Sequence, residues 1–236
     1  METTVLVVGA GGLGCAALPL LAAHGLGVRV YDDDVVSLDN LQRQLLFRTA
    51  DVGRPKVEVA AEALGRMFPG ARVEAVADRL TPENLPRALE GVAVVLDGSD
   101  NFPTRFLIND ACVLSRTPLV HGGILRFTGQ VMAILPGRTA CYRCLFEDLP
   151  PAGAVPSCSE AGVLGALCGI VAARMVKQAR AILEGREVGD EIWVHDARQG
   201  RSRVVPLGRD ERCAVCGEAP SIRELDASRY EEARAA

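Results

Sequence analysis

"TTVLVVGAGGLG" (residues 3–14) decides the fold. Residues 3–8 are β-branched or leucine and read as a short buried strand that ends at a glycine. "GAGGLG" (9–14) follows at once, and from Gly12 to about His24 the pattern is helical, with Pro19 inside it. Strand, glycine turn and helix in that order place helix N-terminal N–H groups where an anion can sit, and Gly9, Gly11, Gly12 and Gly14 allow the tight turn and close backbone approach. "GVRVYD" (27–32) is the next strand, and Asp32 falls 23 residues after Gly9. An acid at that strand end accepts hydrogen bonds from ribose hydroxyls. The motif names an adenosine-type ligand and does not choose between NAD and ATP.

Working outward, helical spacing at 56–68 and 102–115 alternates with strand patterns at 71–77, 92–100 and 118–124. That order predicts an α/β fold, a Rossmann-like and mostly parallel sheet with helices on both faces. From about Phe127 the pattern changes. "TGQVMAIL", "EIWVHDA" and "RSRVVPL" read as antiparallel or edge strands, "FEDLPPAGAVPS" (146–157) as a mobile loop, and 161–183 as a long apolar helix. The tail "ASRYEEARAA" reads as a frayed polar end. One domain over 1–236 is expected, with a nucleotide-binding half (1–126), a second half (127–220) and a tail (221–236).

The chain has 236 residues, a net charge of −4 and a pI near 5.5, which argues against a nucleic-acid partner. No apolar run approaches a membrane span and no signal peptide is evident, so a cytoplasmic location is expected. In that reducing setting the eight cysteines are metal ligands, catalytic thiols or small buried residues rather than disulfides. "CYRC" (141–144) and "CAVC" (213–216) are two C-x-x-C pairs, so Cys141, Cys144, Cys213 and Cys216 are candidate ligands of a structural Zn²⁺. Neither pair is expected to open a helix as a redox C-x-x-C does. Cys15, Cys112 and Cys168 lie in apolar helical contexts and are expected to be buried. Cys158, just before the long helix, is a candidate nucleophile favoured by a helix N-terminus.

The segment "DNLQRQLLFRTADVGRPK" (39–56) argues for ATP. An NAD site binds one pyrophosphate mostly through backbone N–H groups. Arg43 and Lys56, read as two unpaired cations beside the crevice, suit a triphosphate, and Asn40 adds a neutral hydrogen bond. "DGSDNFPTR" (97–105) ends a buried strand at the sheet's carboxyl edge, where Asp100 suits a magnesium ion or caps the helix that follows.

"GAGGLG", "DDD" (32–34), "SLDNLQRQ", "GRPK", "DGSDN", the two C-x-x-C pairs and "CSEAGVLG" occur here in an order that resembles the ThiF/MoeB/HesA proteins, bacterial relatives of ubiquitin-activating enzymes. The resemblance runs from Val5 to about Gly217. It implies ATP- and Mg²⁺-dependent adenylation of the C-terminal glycine of a ubiquitin-like sulfur carrier, in thiamin, molybdopterin or related biosynthesis. Asp32 and Asp34 would lie at the ribose, and Asn40, Arg43, Gln44 and Lys56 at the phosphates. Asp100, with Asn101 beside it, would serve the metal and transition state. The half at 127–220 would dock the carrier and bind zinc. A homodimer and a separate sulfur donor are also implied, and Cys158 could join covalently to the carrier. The family's usual N-terminal segment, whose arginine reaches the partner subunit's ATP, has no counterpart before the first strand. An NAD-dependent oxidoreductase, a non-catalytic carrier-binding module and an activator of small acids or peptides are the alternatives.

Overall fold

The computed structural model describes residues 3–151 and 162–231. Its centre is an eight-stranded sheet of β1 (Thr4–Val8), β2 (Gly27–Tyr31), β3 (Val73–Val76), β4 (Val92–Asp97), β5 (Leu119–Leu125), β6 (Thr128–Ile134), β7 (Glu191–Asp196) and β8 (Arg201–Pro206). The spatial order is β3-β2-β1-β4-β5-β6-β7-β8. Strands β1 to β5 pair in parallel, and β5 to β8 pair antiparallel. The helices are α1 (Gly12–Ala23), α2 (Lys56–Met67), α3 (Leu85–Ala88), α4 (Phe102–Ser115), α5 (Tyr142–Leu145) and α6 (Gly165–Leu183). Among the described residues, no helix is long and apolar enough to cross a membrane.

The central strands are apolar at most positions because both faces are covered. Val5, Val7, Val94 and Leu96 point into a core shared with α1, α2 and α6. Leu6, Val8 and Val95 point into a second core under α3, α4, α5 and the C-terminal cysteines. The order reverses between β1 and β4, and the loops at their carboxyl ends splay apart there to leave a crevice. Gly14 stands where a Cβ would lie 1.9 Å from the Gly9 carbonyl oxygen, so it allows α1 to pack on β1.

Three expectations are corrected. The long helix begins at Gly165, with Leu164 as its N-cap, rather than at 161, so Cys158 is not adjacent to its N-terminus in sequence. Cys141 does open a helix, the single turn of α5, because its extended backbone is the N-cap of Tyr142–Leu145. The tail is not wholly frayed: Ala227–Tyr230 forms a 3-10 turn, and Tyr230 is buried with its hydroxyl donating to Asp110 at 3.0 Å. Cys158 itself and much of the 146–157 loop lie outside the described residues.

Candidate functional site

The crevice is a cleft of about 800 Å³ at the carboxyl ends of β1, β2 and β4. Gly9, Gly11, Gly12, Asp32, Asp34, Asn40, Arg43, Gln44, Lys56 and Asp100 all line it. Gly14 does not, since it serves packing, and Asn101 faces a neighbouring acidic cavity instead. The Asn101 side chain accepts a hydrogen bond from the Thr104 N–H at 2.9 Å and caps α4, which leaves Asp100 out of the cap. Asp100 is exposed and touches the cleft, the acidic cavity and a larger groove of about 1640 Å³.

Local sequence explains the arrangement. The 3-10 turn Leu38–Asn40 lets the Asn40 carbonyl accept from both Arg43 and Gln44 N–H groups, and this turns their side chains into the cleft. The Asn40 amide donates to the Ser37 hydroxyl and its oxygen accepts from Arg43 Nη2 at 2.7 Å. Asp32 accepts from the Ala10 N–H at 2.6 Å through one oxygen and from the Asp34 N–H at 2.8 Å through the other. Burial raises its carboxyl above the usual range, although the Lys56 charge and these bonds pull it back. The spare lone pairs remain free for ribose hydroxyls.

Lys56 is not an unpaired cation. Its Nζ lies 2.6 Å from Asp34 Oδ2, and the lysine is 4% exposed while the Asp34 side chain is 70% exposed. A lysine so desolvated needs a standing counter-ion, which Asp34 provides. Arg43, with only the neutral Asn40 as its side-chain hydrogen-bond partner among the described residues, is the freer cation. Gln44 Oε1 is buried without a hydrogen-bond partner among the described residues, a polar atom left for a ligand. Gly12 sits so close to Cys168 that a Cβ would be 2.8 Å from its Sγ, so only glycine keeps this wall open.

Sequence reasoning gave no role to Arg105. It lines both the cleft and the groove, donates through Nε and Nη2 to the Ser99 carbonyl at 3.3 and 3.1 Å, and stacks on Phe102. The signal was present, since Arg105 falls in the first turns of a helix that starts just after the candidate acid. A buried triad was also missed. Arg143, between the first two cysteines, forks onto Asp110 at 2.8 to 3.0 Å, and Tyr230 donates to the same carboxylate.

The four cysteines converge as their spacing predicts. Cys141 Sγ is 3.6 Å from Cys213 Sγ and 3.9 Å from Cys144 Sγ, and Cys144 Sγ is 3.3 Å from Cys216 Sγ. Bonds of about 2.3 Å to a tetrahedral ion separate sulfurs by about 3.8 Å. A disulfide needs about 2.05 Å. The cluster therefore fits a closed Zn²⁺ site. Cys15, Cys112 and Cys168 are buried as expected, and burial pushes the Cys15 thiol up to about 12.

With this geometry established, the ThiF family profile matches residues 1–215. This chain belongs to the ThiF family. It is 46% identical to the sulfur carrier protein adenylyltransferase of Thermus thermophilus over 232 residues, covering 95% of this chain and 86% of that protein. It is 43% identical to the SAMP-activating enzyme E1 of Haloferax volcanii, covering 96% of this chain and 85% of that one. The adenylyltransferase and sulfurtransferase MOCS3 of Danio rerio is 41% identical, and the chain spans only 49% of its length. Crystal structures of E. coli MccB share the fold at 22% identity: the one with ATP superposes with a TM-score of 0.73, covering 91% of this chain and 66% of MccB.

Proposed function

We propose that this ThiF-family chain is an adenylyltransferase that uses ATP to activate the C-terminal glycine carboxylate of a ubiquitin-like sulfur carrier. The observation that carries this reading is the placement of Asp100 and Arg105 where the nucleotide cleft opens into the groove. A polyanion in the cleft and a carboxylate arriving along the groove would meet there. The names of the two relatives of similar length, an adenylyltransferase for a sulfur carrier and an activating enzyme, support the same chemistry.

Asp32 takes the ribose, the glycine turn and Gln44 the phosphate region, and Arg43 and Lys56 the negative charge of the triphosphate. The carrier carboxylate is ionised at neutral pH, so no general base is needed. Its oxygen attacks the α-phosphorus, the bond to the bridging oxygen breaks, and pyrophosphate leaves with the electron pair. Cations held before the reaction lower the barrier because they need no reorganisation as charge moves. Asp100 is the residue that would hold Mg²⁺. The bound ion would neutralise phosphate charge. Lys56 keeps its role despite the Asp34 pair, because the exposed carboxylate can turn to solvent when phosphate arrives.

Zn²⁺ would close the four-cysteine cluster and tie the C-terminal segment to α5. A reducing cytoplasm keeps four such thiolates available. Exposed Leu38 and Leu45, flanking the Asn40–Gln44 turn, support a homodimer that covers this edge. A separate protein would donate sulfur. ATP–pyrophosphate exchange with zinc-loaded protein, with and without a glycine-ended carrier, tests the reading. Exchange that requires the carrier is expected. Carrier binding without exchange would instead favour a non-catalytic binding module, and NADH binding in preference to ATP would favour an oxidoreductase.

A further inference from the structure

We propose that Asp97 and His121 form a positioning pair that fixes the turn at residues 98–101 and so sets where Asp100 and Arg105 stand. Its catalytic consequence rests on the adenylation reading; its structural consequence does not. Asp97 ends β4 and His121 is the third residue of β5, and the two are direct partners in the parallel register. His121 Nδ1 lies 2.8 Å from Asp97 Oδ2, and each residue is 1% exposed. The other carboxylate oxygen accepts twice from Ser99, from its N–H at 2.9 Å and its hydroxyl at 2.6 Å. The Ser99 carbonyl in turn receives Arg105. A continuous chain of hydrogen bonds thus runs from β5, under the turn, to the first turns of α4.

Asp100 has no hydrogen bond or ion pair of its own among the described residues. Only its backbone places it, and that backbone is held by Ser99 on one side and by the Asn101 cap on the other. A buried carboxylate is costly unless it is paired, and apolar residues could have joined two parallel strands at lower cost. Val95 and Leu119, two register pairs away, do so. Burial is the largest single influence and works against the Asp97 charge, yet His121, Arg105 and Ser99 together outweigh it and hold the carboxyl below its ordinary range. Burial likewise holds the His121 ring below its ordinary value, against the pull of Asp97, with the Arg105 charge acting in the same sense as burial. The neutral ring with its proton on Nδ1 is the form that donates to Asp97 and leaves Nε2 without a hydrogen. Nε2 is indeed buried without a partner among the described residues, and the Tyr142 ring packs edge-on against the imidazole at 4.8 Å.

The test uses the full, zinc-loaded chain. His121→Phe keeps a ring and removes the donor, whereas His121→Asn keeps an N–H near the Nδ1 position. Amide hydrogen exchange at Ser99, read without any substrate, should be protected in the wild type and at least ~10-fold faster in His121→Phe. Carrier-dependent exchange should lose about 10-fold or more in kcat, while KM for ATP stays within about twofold. His121→Asn should recover most of both. A protected Ser99 amide with unchanged kcat in His121→Phe overturns the proposal. Should that variant not fold, Ser99→Ala, which leaves the buried pair intact, decides: lower kcat supports the pair's role and unchanged kcat overturns it. A wild type without pyrophosphate exchange would overturn the adenylation reading alone, because the Ser99 amide still reports on the pair.

Discussion

At the carboxyl ends of β1, β2 and β4 polar groups are left unfinished. Asp100 is exposed and free of hydrogen bonds among the described residues, Gln44 Oε1 is buried without a partner, and Arg43 has one neutral contact. Where α5 meets the C-terminal segment the charged groups are instead paired within the chain, although the Tyr142 hydroxyl in α5 is buried without a partner among the described residues. Four sulfurs face one another, Arg143 forks onto Asp110, and Tyr230 completes that carboxylate. Groups left without partners inside a fold are costly, and at the cleft a ligand can supply the missing contacts. Closed networks need no ligand beyond the ion that joins them. The difference separates a region built for turnover from one built to hold the chain together.

The separation can be broken most severely at the cysteines. Removing zinc with a chelator, or Cys213→Ser, should lower the thermal midpoint sharply, since a structural zinc contributes on the order of 10 kcal/mol in small peptide domains. Nucleotide affinity measured well below the new midpoint should change little. A chelated protein with an unchanged melting curve would remove the staple from this account.

The converse experiment acts on the cleft. Asp100→Ala should reduce carrier-dependent pyrophosphate exchange by about 10²–10³-fold, the scale of losing one pre-positioned electrostatic group. Its melting curve should match the wild type, because the side chain makes no internal bond to lose. Near wild-type exchange would sink the assignment.

Arg43→Ala and Lys56→Ala should each weaken use of ATP by at least ~10-fold, about 1.4 kcal/mol. Their melting curves should then diverge. Lys56→Ala empties a buried position, whereas Arg43→Ala removes the Asn40 contact from a half-buried one. Equal stability in the two variants would contradict the burial difference that distinguishes them.

Tyr230→Phe removes one donor from Asp110 and leaves the Arg143 fork, so a loss of about 1 kcal/mol in urea unfolding is expected with exchange unchanged. The smallest effect belongs to Cys158→Ser. Pyrophosphate exchange should be spared, and only a covalent carrier adduct, sought by mass spectrometry, should disappear. Loss of pyrophosphate release in that variant would show that the adenylation step itself needs the thiol.

Much of the cleft could be read from the chain because its signals are short-range. The glycine turn, the acid after the second strand, the Asn40–Gln44 turn and the acid just before α4 each lie within a few residues of the element that orients them. The partners of those residues could not be read. Lys56 and Asp34 are both visible as charges, yet their ion pair depends on how the start of α2 meets the end of β2. Arg105 was inside a quoted motif and still went unassigned, because only the position of β5 beside β4 reveals that two cavities meet at its side chain.

The sequence by itself determined the order of strands and helices, the turn that receives the nucleotide and the two cysteine pairs. Hydrophobic period, glycine conformation and ligand spacing are local properties that survive without knowledge of the rest of the chain. Only the tertiary structure decided that Asp97 faces His121 across a parallel register, that Lys56 pairs with Asp34, and that the C-terminal Tyr230 reaches Asp110 in α4. These contacts join distant segments, and each depends on strand register and helix docking, which the packing of the whole molecule sets.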